Sequence, residues 1–480
     1  MSLNKLTISE ALTGLKEKKF SSEDLVKSCF SQIEKYDPEI KAFITLNATQ
    51  ALVQAKEADE VISKEGAGAF IKKPLLGIPY ACKDNFSTKG IETTAGSNIL
   101  KGYIPPFEST VTKKLSGVGA ILLGKTNMDA FAHGSSTETS DFFKTKNPWD
   151  FERVPGGSSG GSAAAVSADM CIFAIGSETA GSIRLPAAWC GVTGLKPSYG
   201  RVSRYGVVAM ASSTDSPGPI AKNASDCAYV LNIIAGRDVN DATSSHLPVE
   251  NYLDGFSDFD IKKLKIGKPK SYFNMELEPG LKSIIEEAVE QFRSLGAEII
   301  EMDLMNPKYS IAVYTILQRS EVSSNLARYD GIRYGNSRDS FGFEAKKRAM
   351  LGTYTLSSGY YDAYYSKAQK VRTKIVEDFN KAFSEVDLII GPTTPCTALK
   401  FGESEKSSMF GELMDVLAEP SSIAGICGIN LPCGTLNGLP VGFQLMAGMG
   451  KEKILLEASR SYQEKTLFHK ERPNLERSTK

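Results

Sequence analysis

Gly156-Gly157-Ser158-Ser159-Gly160-Gly161-Ser162 is followed by Ala163-Ala164-Ala165-Val166, then Cys171-Ile172-Phe173-Ala174-Ile175, then Thr179-Ala180-Gly181-Ser182. The order is a turn, a helix, a strand and a second turn. Residues 162–170 are strong helix formers apart from their serines, and nine helical residues rise ~13–14 Å. The apolar run 171–175 returns ~16 Å at strand spacing. Out and back are nearly equal, so the turns holding Ser158 and Ser182 are expected to meet at one end of one sheet. The small alanines let the helix lie close on its neighbours.

Upstream, Leu75-Leu76-Gly77-Ile78-Pro79-Tyr80-Ala81-Cys82-Lys83 reads as a buried strand ending in a turn at Lys83. Residues 120–124 read as a second short strand, and 109–117 as a helix. Thr7-Ile8-Ser9-Glu10 and Ser21-Ser22-Glu23-Asp24 resemble helix N-caps, the second opening an amphipathic run to about Tyr36. Residues 51–65 continue the helical N-terminus. Downstream, 183–250 reads as loop-rich, with turns at Pro197, Gly200, Gly206 and Pro217-Gly218-Pro219 and one helix at 224–235. Strands are expected at 264–267, 297–300 and 386–392, a helix at 281–295 and a Tyr-rich helical region at 354–383. A late strand pair, 428–432 and 441–446, flanks Leu436-Asn437-Gly438-Leu439. Helices alternating with short apolar strands predict an α/β fold with a largely buried sheet. With no repeat or low-complexity linker, one large domain over 1–480 is expected. Within it, helices occupy about 1–70 and the chemistry-bearing core about 71–220, and the remainder completes the sheet and pocket.

The 480 residues carry 56 Lys and Arg against 56 Asp and Glu, a formal net charge of zero. That balance argues against a strong, self-sufficient nucleic-acid footprint. No run of 18 apolar residues suggests a membrane span, and Met1-Ser2-Leu3-Asn4-Lys5 lacks the plan of a secretory leader. The eight cysteines form no CxxC pair, and several sit in apolar runs. They read as reduced, mostly buried thiols of a cytoplasmic protein, with no metal site.

Two motif matches fail on mechanism. Gly119-Ala120-Ile121-Leu122-Leu123-Gly124-Lys125-Thr126 fits GxxxxGK(S/T), but a phosphate-binding loop must be a flexible turn after a strand, and here the variable residues are the strand. Gly156-Gly157-Ser158-Ser159-Gly160 fits GxSxG, but a nucleophile elbow needs a preceding strand and a downstream histidine. Residues 149–155 make a poor strand. His246 and His469 lie in polar stretches and read as surface residues.

The two serines and the lysine offer amide hydrolysis without histidine. Successive small residues at Thr179, Ala180 and Gly181 let backbone N–H groups converge on an oxyanion, and Ser182 ends that nest where a nucleophile would stand. Lys83 is the candidate base. An ordinary lysine titrates near ~10.4, so keeping it neutral at pH 7 costs about 4–5 kcal/mol, and burial lowers its pKa. Ser158 could pass the proton between Lys83 and Ser182. Gly/Ser runs also serve as plain turns, and a lysine after a strand is ordinarily solvated. Spacing alone leaves both readings open.

At these residues the chain resembles the amidase signature family, which uses a Ser–cis-Ser–Lys triad. The resemblance implies a single domain with a mixed central sheet covered by helices on both faces. It makes Lys83 the base, Ser158 the bridging serine after a cis bond from Gly157, and Ser182 the nucleophile, with oxyanion amides from Thr179, Ala180 and Gly181. Within the family the chain is similar to the glutaminase subunits of tRNA-dependent amidotransferases over nearly its whole length. The matching stretches include Gly124-Lys125-Thr126-Asn127-Met128-Asp129, Gly191-Val192-Thr193-Gly194-Leu195-Lys196-Pro197 and Leu356-Ser357-Ser358-Gly359-Tyr360-Tyr361-Asp362. That similarity implies glutamine as ammonia donor and no cofactor on this chain. It implies ATP and Mg²⁺ on a larger partner, the B-type subunit, which also holds Glu-tRNA(Gln), together with a small C-type subunit.

The same similarity makes Arg348 and Asp415 the residues for the carboxylate and amino group of glutamine, with Tyr314 also in contact. By its neighbours Lys346 and Lys347, Arg348 also reads as a solvated helix face. Ala180 stands where the family has glycine, Leu185 where it often has glutamine, and Glu178 where aspartate is common. A stand-alone amidase for other small amides, and a silent scaffold suggested by Ala180, are the alternative readings.

Overall fold

The computed structural model describes residues 2–254, 259–407 and 409–476, and among them eleven strands form one sheet. In chain order they are β1 (Phe43–Leu46), β2 (Pro79–Lys83), β3 (Ile121–Thr126), β4 (Phe173–Glu178), β5 (Thr193–Lys196), β6 (Ser216–Ala221), β7 (Lys265–Pro269), β8 (Glu298–Met302), β9 (Leu388–Pro392), β10 (Cys427–Leu436) and β11 (Leu439–Ala447). In space the order is β1-β3-β2-β4-β6-β5-β10-β11-β9-β7-β8. β2 pairs in parallel with both β3 and β4, and β7 with both β8 and β9. Every other pairing is antiparallel. The sheet is therefore mixed, in one α/β domain as expected.

Alternation along the strands divides two apolar layers. Tyr80 and Cys82 join one buried cluster while Ala81 joins the other. Phe173 and Ile175 part from Ala174 in the same way. The second layer is closed by helices Ser22–Ile40, Ala48–Glu65 and Gly160–Ser167, through Val26, Phe30, Ala51, Ala55 and the run Ala163 to Val166. The first layer takes Ala224–Ile234, Leu281–Ser294, Lys308–Leu326 and Glu452–Lys465. Both N-terminal starts carry a complete capping box, Thr7 with Glu10 and Ser21 with Asp24, which satisfies amide donors that a helix end otherwise leaves open. The turn between β10 and β11 has positive φ at Asn437 and Gly438, the geometry for which Asn-Gly is suited in a two-residue hairpin.

Two expectations are corrected. Ser216-Pro217-Gly218-Pro219 is the start of β6, a central strand rather than a turn. β6 pairs with β5 only at Ile220 and Ala221, so the N–H groups missing from the two prolines fall where that ladder has ended. Gly218 is needed there, since a Cβ would stand 2.2 Å from Leu195 O. The 354–383 region is not one helix. Helix Phe343–Leu356 ends at Ser357, Gly359 takes φ +87°, a π turn covers Asp362–Ser366 and a new helix runs Lys367–Ala382. β1, β5 and the helices Arg184–Trp189 and Lys308–Leu326 were not anticipated from local pattern. Among the described residues no helix is long and apolar enough to cross a membrane.

Candidate functional site

Because β2 and β4 run side by side in the same direction, their carboxyl ends open on the same edge. Lys83 is the last residue of β2, and the turn from Thr179 to Ser182 leaves the end of β4. The Gly/Ser turn before helix Gly160–Ser167 closes on that edge. Ser159 N–H donates to Ser182 O at 3.1 Å, and Ser159 Oγ donates to Ser177 O at 3.1 Å. The two turns thus meet as the out-and-back lengths require. The Gly157–Ser158 peptide is cis. Gly157 is held so close that a Cβ would stand 2.1 Å from Asp129 Oδ2. That carboxylate also accepts from Thr137 N–H at 2.9 Å.

Lys83 is fully buried. Its Nζ lies 2.8 Å from Ser158 Oγ, 3.0 Å from Ser177 Oγ and 3.1 Å from Ser177 O. Burial pushes its pKa down to about 7, against the pull of Asp129, Asp215 and Glu178. A neutral amine has two donors and one lone pair. With both donors directed at Ser177, the lone pair is left facing the Ser158 hydroxyl. Asn85 Nδ2 donates to Ser177 Oγ at 2.9 Å, so Ser177 is oriented in turn. Ser177 and Asn85 were not singled out in the sequence. Asn85 sits two residues beyond Lys83, and Ser177 has no local signature because its role arises only when β2 and β4 pair.

The second turn is tied at each corner. Glu178 Oε2 accepts from the N–H groups of Ile183 and Arg184, each at 3.0 Å. Arg184, wholly buried, donates to Glu178, to Gln444 Oε1, to Ser421 Oγ at 2.8 Å and to Ala418 O at 2.9 Å. Thr179 Oγ1 donates to Asp215 Oδ1 at 2.6 Å. Ala180 does not take a positive φ, so its methyl costs no backbone strain and the ground for a silent scaffold falls away. Leu185 packs on Gly156, where a Cβ would meet its Cδ2 at 2.6 Å. Ser182 is buried, and its hydroxyl makes no hydrogen bond among the described residues.

Arg348 and Asp415 both lie within electrostatic reach of Tyr314. Arg348 is buried rather than solvated. Its Nε donates to Glu344 Oε1 at 2.7 Å, and Glu412 and Tyr314 lie within its electrostatic reach. Asp415 Oδ2 accepts from Ser135 Oγ at 2.8 Å, while Oδ1 has no partner. A Cβ on Gly181 would stand 2.1 Å from that Oδ1, so the open carboxylate oxygen adjoins the Ser182 turn. Burial pushes the Asp415 pKa well up.

Lys125 lies in β3 and donates to Phe86 O and Thr93 Oγ1, both at 2.8 Å, beside Asp84, so it is a core lysine and not a phosphate ligand. No strand precedes the GxSxG match. His246 is exposed as expected, but His469 is buried in a short 3₁₀ turn, a tertiary contact that its polar neighbours do not announce. All eight cysteines are free thiols, and seven are buried. Cys82 is packed in β2.

A profile of the Amidase family matches residues 24–456. The chain belongs to that family. It is 48% identical to the A-type subunit of the glutamyl-tRNA(Gln) amidotransferase of Carboxydothermus hydrogenoformans, across 99% of this chain and all of the relative. It is 47% identical to the protein of the same description from Geobacillus kaustophilus, over the same shares of the two chains. Among solved structures, the A-type subunit of the Thermotoga maritima glutamyl-tRNA(Gln) amidotransferase superposes with a TM-score of 0.82 at 40% identity, covering 97% of this chain and 96% of that one. A peptide amidase of Stenotrophomonas maltophilia superposes with the same TM-score at 28% identity, covering 96% of each chain.

Proposed function

We propose that this chain is the glutaminase subunit of a tRNA-dependent amidotransferase. Lys83, as the free amine, takes the proton of Ser158 while Ser158 takes that of Ser182. Ser182 Oγ attacks the side-chain carboxamide carbon of glutamine, and the carbonyl oxygen becomes an oxyanion facing the amides of Thr179, Ala180 and Gly181. Each well-placed donor there contributes roughly 3–4 kcal/mol to the transition state. The proton returns through Ser158 to the leaving nitrogen. Ammonia departs, a γ-glutamyl ester remains on Ser182, and water releases it as glutamate by the reverse relay.

Arg348 and Asp415 hold the carboxylate and the ammonium of glutamine, a cation for an anion and an anion for a cation, and Tyr314 lies alongside. The ammonia passes to the B-type partner, which binds ATP with Mg²⁺ and converts Glu-tRNA(Gln) to Gln-tRNA(Gln). A small C-type subunit completes the complex. A chain of zero net charge suits an assembly in which the partner holds the tRNA.

The observation carrying the reading is Lys83, buried and 2.8 Å from Ser158 Oγ. Full-length similarity to the A-type subunits, well above that to the peptide amidase, favours glutamine over other amides. The test is ammonia release from glutamine by wild type and Ser182→Ala, alone and with the partner subunits, Glu-tRNA and ATP. Release that needs the partners and vanishes in Ser182→Ala is expected. No release from the intact complex would overturn the reading.

A further inference from the structure

Helix Lys308–Leu326 carries an amide with no partner. Gln318 is 1% exposed, yet neither its Oε1 nor its Nε2 makes a hydrogen bond. Buried polar groups are nearly always hydrogen-bonded, so a doubly open amide marks a place where something else is to be bound.

The helix itself shows where that place is. At its N-terminal half, Ser310 Oγ donates to Glu419 Oε2 at 3.1 Å, and Tyr314 lies within electrostatic reach of Asp415. At its C-terminal half, Glu321 Oε1 accepts from Ser213 Oγ at 2.6 Å, and Asn325 Nδ2 donates to Met210 O at 3.0 Å. At about 100° per residue, positions 310, 314, 318, 321 and 325 form one stripe. The turn holding Ser182 is strung between the same two anchor regions. Thr179 Oγ1 bonds Asp215, whose Oδ2 accepts from Met210 N–H at 2.9 Å. Ala180 O accepts from Ser422 Oγ at 2.7 Å, and the open Asp415 Oδ1 adjoins Gly181. Gln318 sits midway between the anchors on the stripe that faces this turn. One turn before it on that stripe stands Tyr314, which is within electrostatic reach of both Arg348 and Asp415.

We propose that Gln318 is a substrate-binding residue that grips the α-amino-acid head of glutamine, its Oε1 accepting from the ammonium beside Asp415 and its Nε2 donating to the carboxylate beside Arg348. The inference rests on the glutaminase reading above. An amide suits a zwitterion because it offers an acceptor and a donor without adding charge.

The test is calorimetric titration of L-glutamine into Ser182→Ala and into the double variant S182A/Q318M, each assembled with the partner subunits, alongside thermal unfolding. Methionine nearly keeps the volume and removes the amide. The expected result is roughly tenfold weaker glutamine binding, one good charge-assisted hydrogen bond, with an unfolding midpoint equal or higher because an unsatisfied group has gone. Equal glutamine binding by the two proteins would overturn the inference and leave the glutaminase reading standing. Weaker binding together with a lowered midpoint would mark a structural role and would also overturn it. No glutamine binding by Ser182→Ala would remove the glutaminase reading, and the inference with it.

Discussion

The candidate site has two sides of opposite character. On the sheet edge, Lys83, Ser158, Ser159 and Ser177 are joined by hydrogen bonds, and Arg184 ties the neighbouring Glu178 to the last third of the chain. On the helical side, the open atoms accumulate: both nitrogens of His133, both polar atoms of Gln318, Thr315 Oγ1, Asp415 Oδ1 and Glu419 Oε1 have no partner. On the first side Lys83 and its serine neighbours are already hydrogen-bonded, as electrostatic preorganisation requires, while Asn85 Oδ1 and the Ser182 hydroxyl stay open. The second keeps these buried polar atoms open. The proposed function assigns bond-making chemistry to the first and recognition to the second.

Substitutions should break that division in a graded way. The largest effect is expected for Ser182→Ala, a loss on the order of 10⁴-fold or more in glutamine hydrolysis, read as ammonia release, because triad members act as a unit. Ser158→Ala should cost ~10²–10⁴-fold in kcat, the range for positioned proton transfer, with KM little changed. On the helical side the pattern should reverse. Arg348→Ala should raise KM for glutamine by ~30-fold or more, since it leaves a desolvated carboxylate unpaired, while the ester-forming step itself is kept. A steady-state series in which Arg348→Ala lowered only kcat would erase the distinction between the sides.

The pH profile sharpens the same comparison. With Lys83 titrating at about 7, kcat/KM should climb about tenfold per pH unit on the acid side and level off above 7. For folding the sign runs the same way. A lysine whose folded pKa lies below its unfolded ~10.4 binds fewer protons when folded. Its contribution to stability rises with pH between about 7 and 10.4, and its full penalty is present below 7. The smallest expected effect is that of Ser177→Ala. It removes one hydrogen-bond acceptor of Lys83, worth ~1 kcal/mol, and should move the acid limb to lower pH with a few-fold change in rate.

The sheet-edge side was legible in the sequence because its residues lie in compact turns separated by one helix and one strand, so local lengths alone bring Ser158 and Ser182 together. Lys83 could be read from the apolar run before it. Ser177 could not, since its meaning depends on β2 lying beside β4. β6 was hidden by Pro217 and Pro219, which read as a turn and are tolerated only because the β5 ladder stops at Ile220. On the helical side, the sequence around Arg348 and Lys347 reads as a charged surface. Its burial is a product of two helices, Lys308–Leu326 and Phe343–Leu356, closing so tightly that a Cβ on Gly352 would lie 1.9 Å from Arg319 O.

The Arg184 ties have a consequence in time. Lys83, Ser158 and Ser182 are all made in the first two-fifths of synthesis, but Ala418, Ser421 and Gln444, which hold Arg184 and through it the Ser182 turn, are among the last residues made. A growing chain therefore carries every reactive group of the site long before it can position the nucleophile. The hydrogen bonds that fix Arg184 can close only when translation is nearly complete.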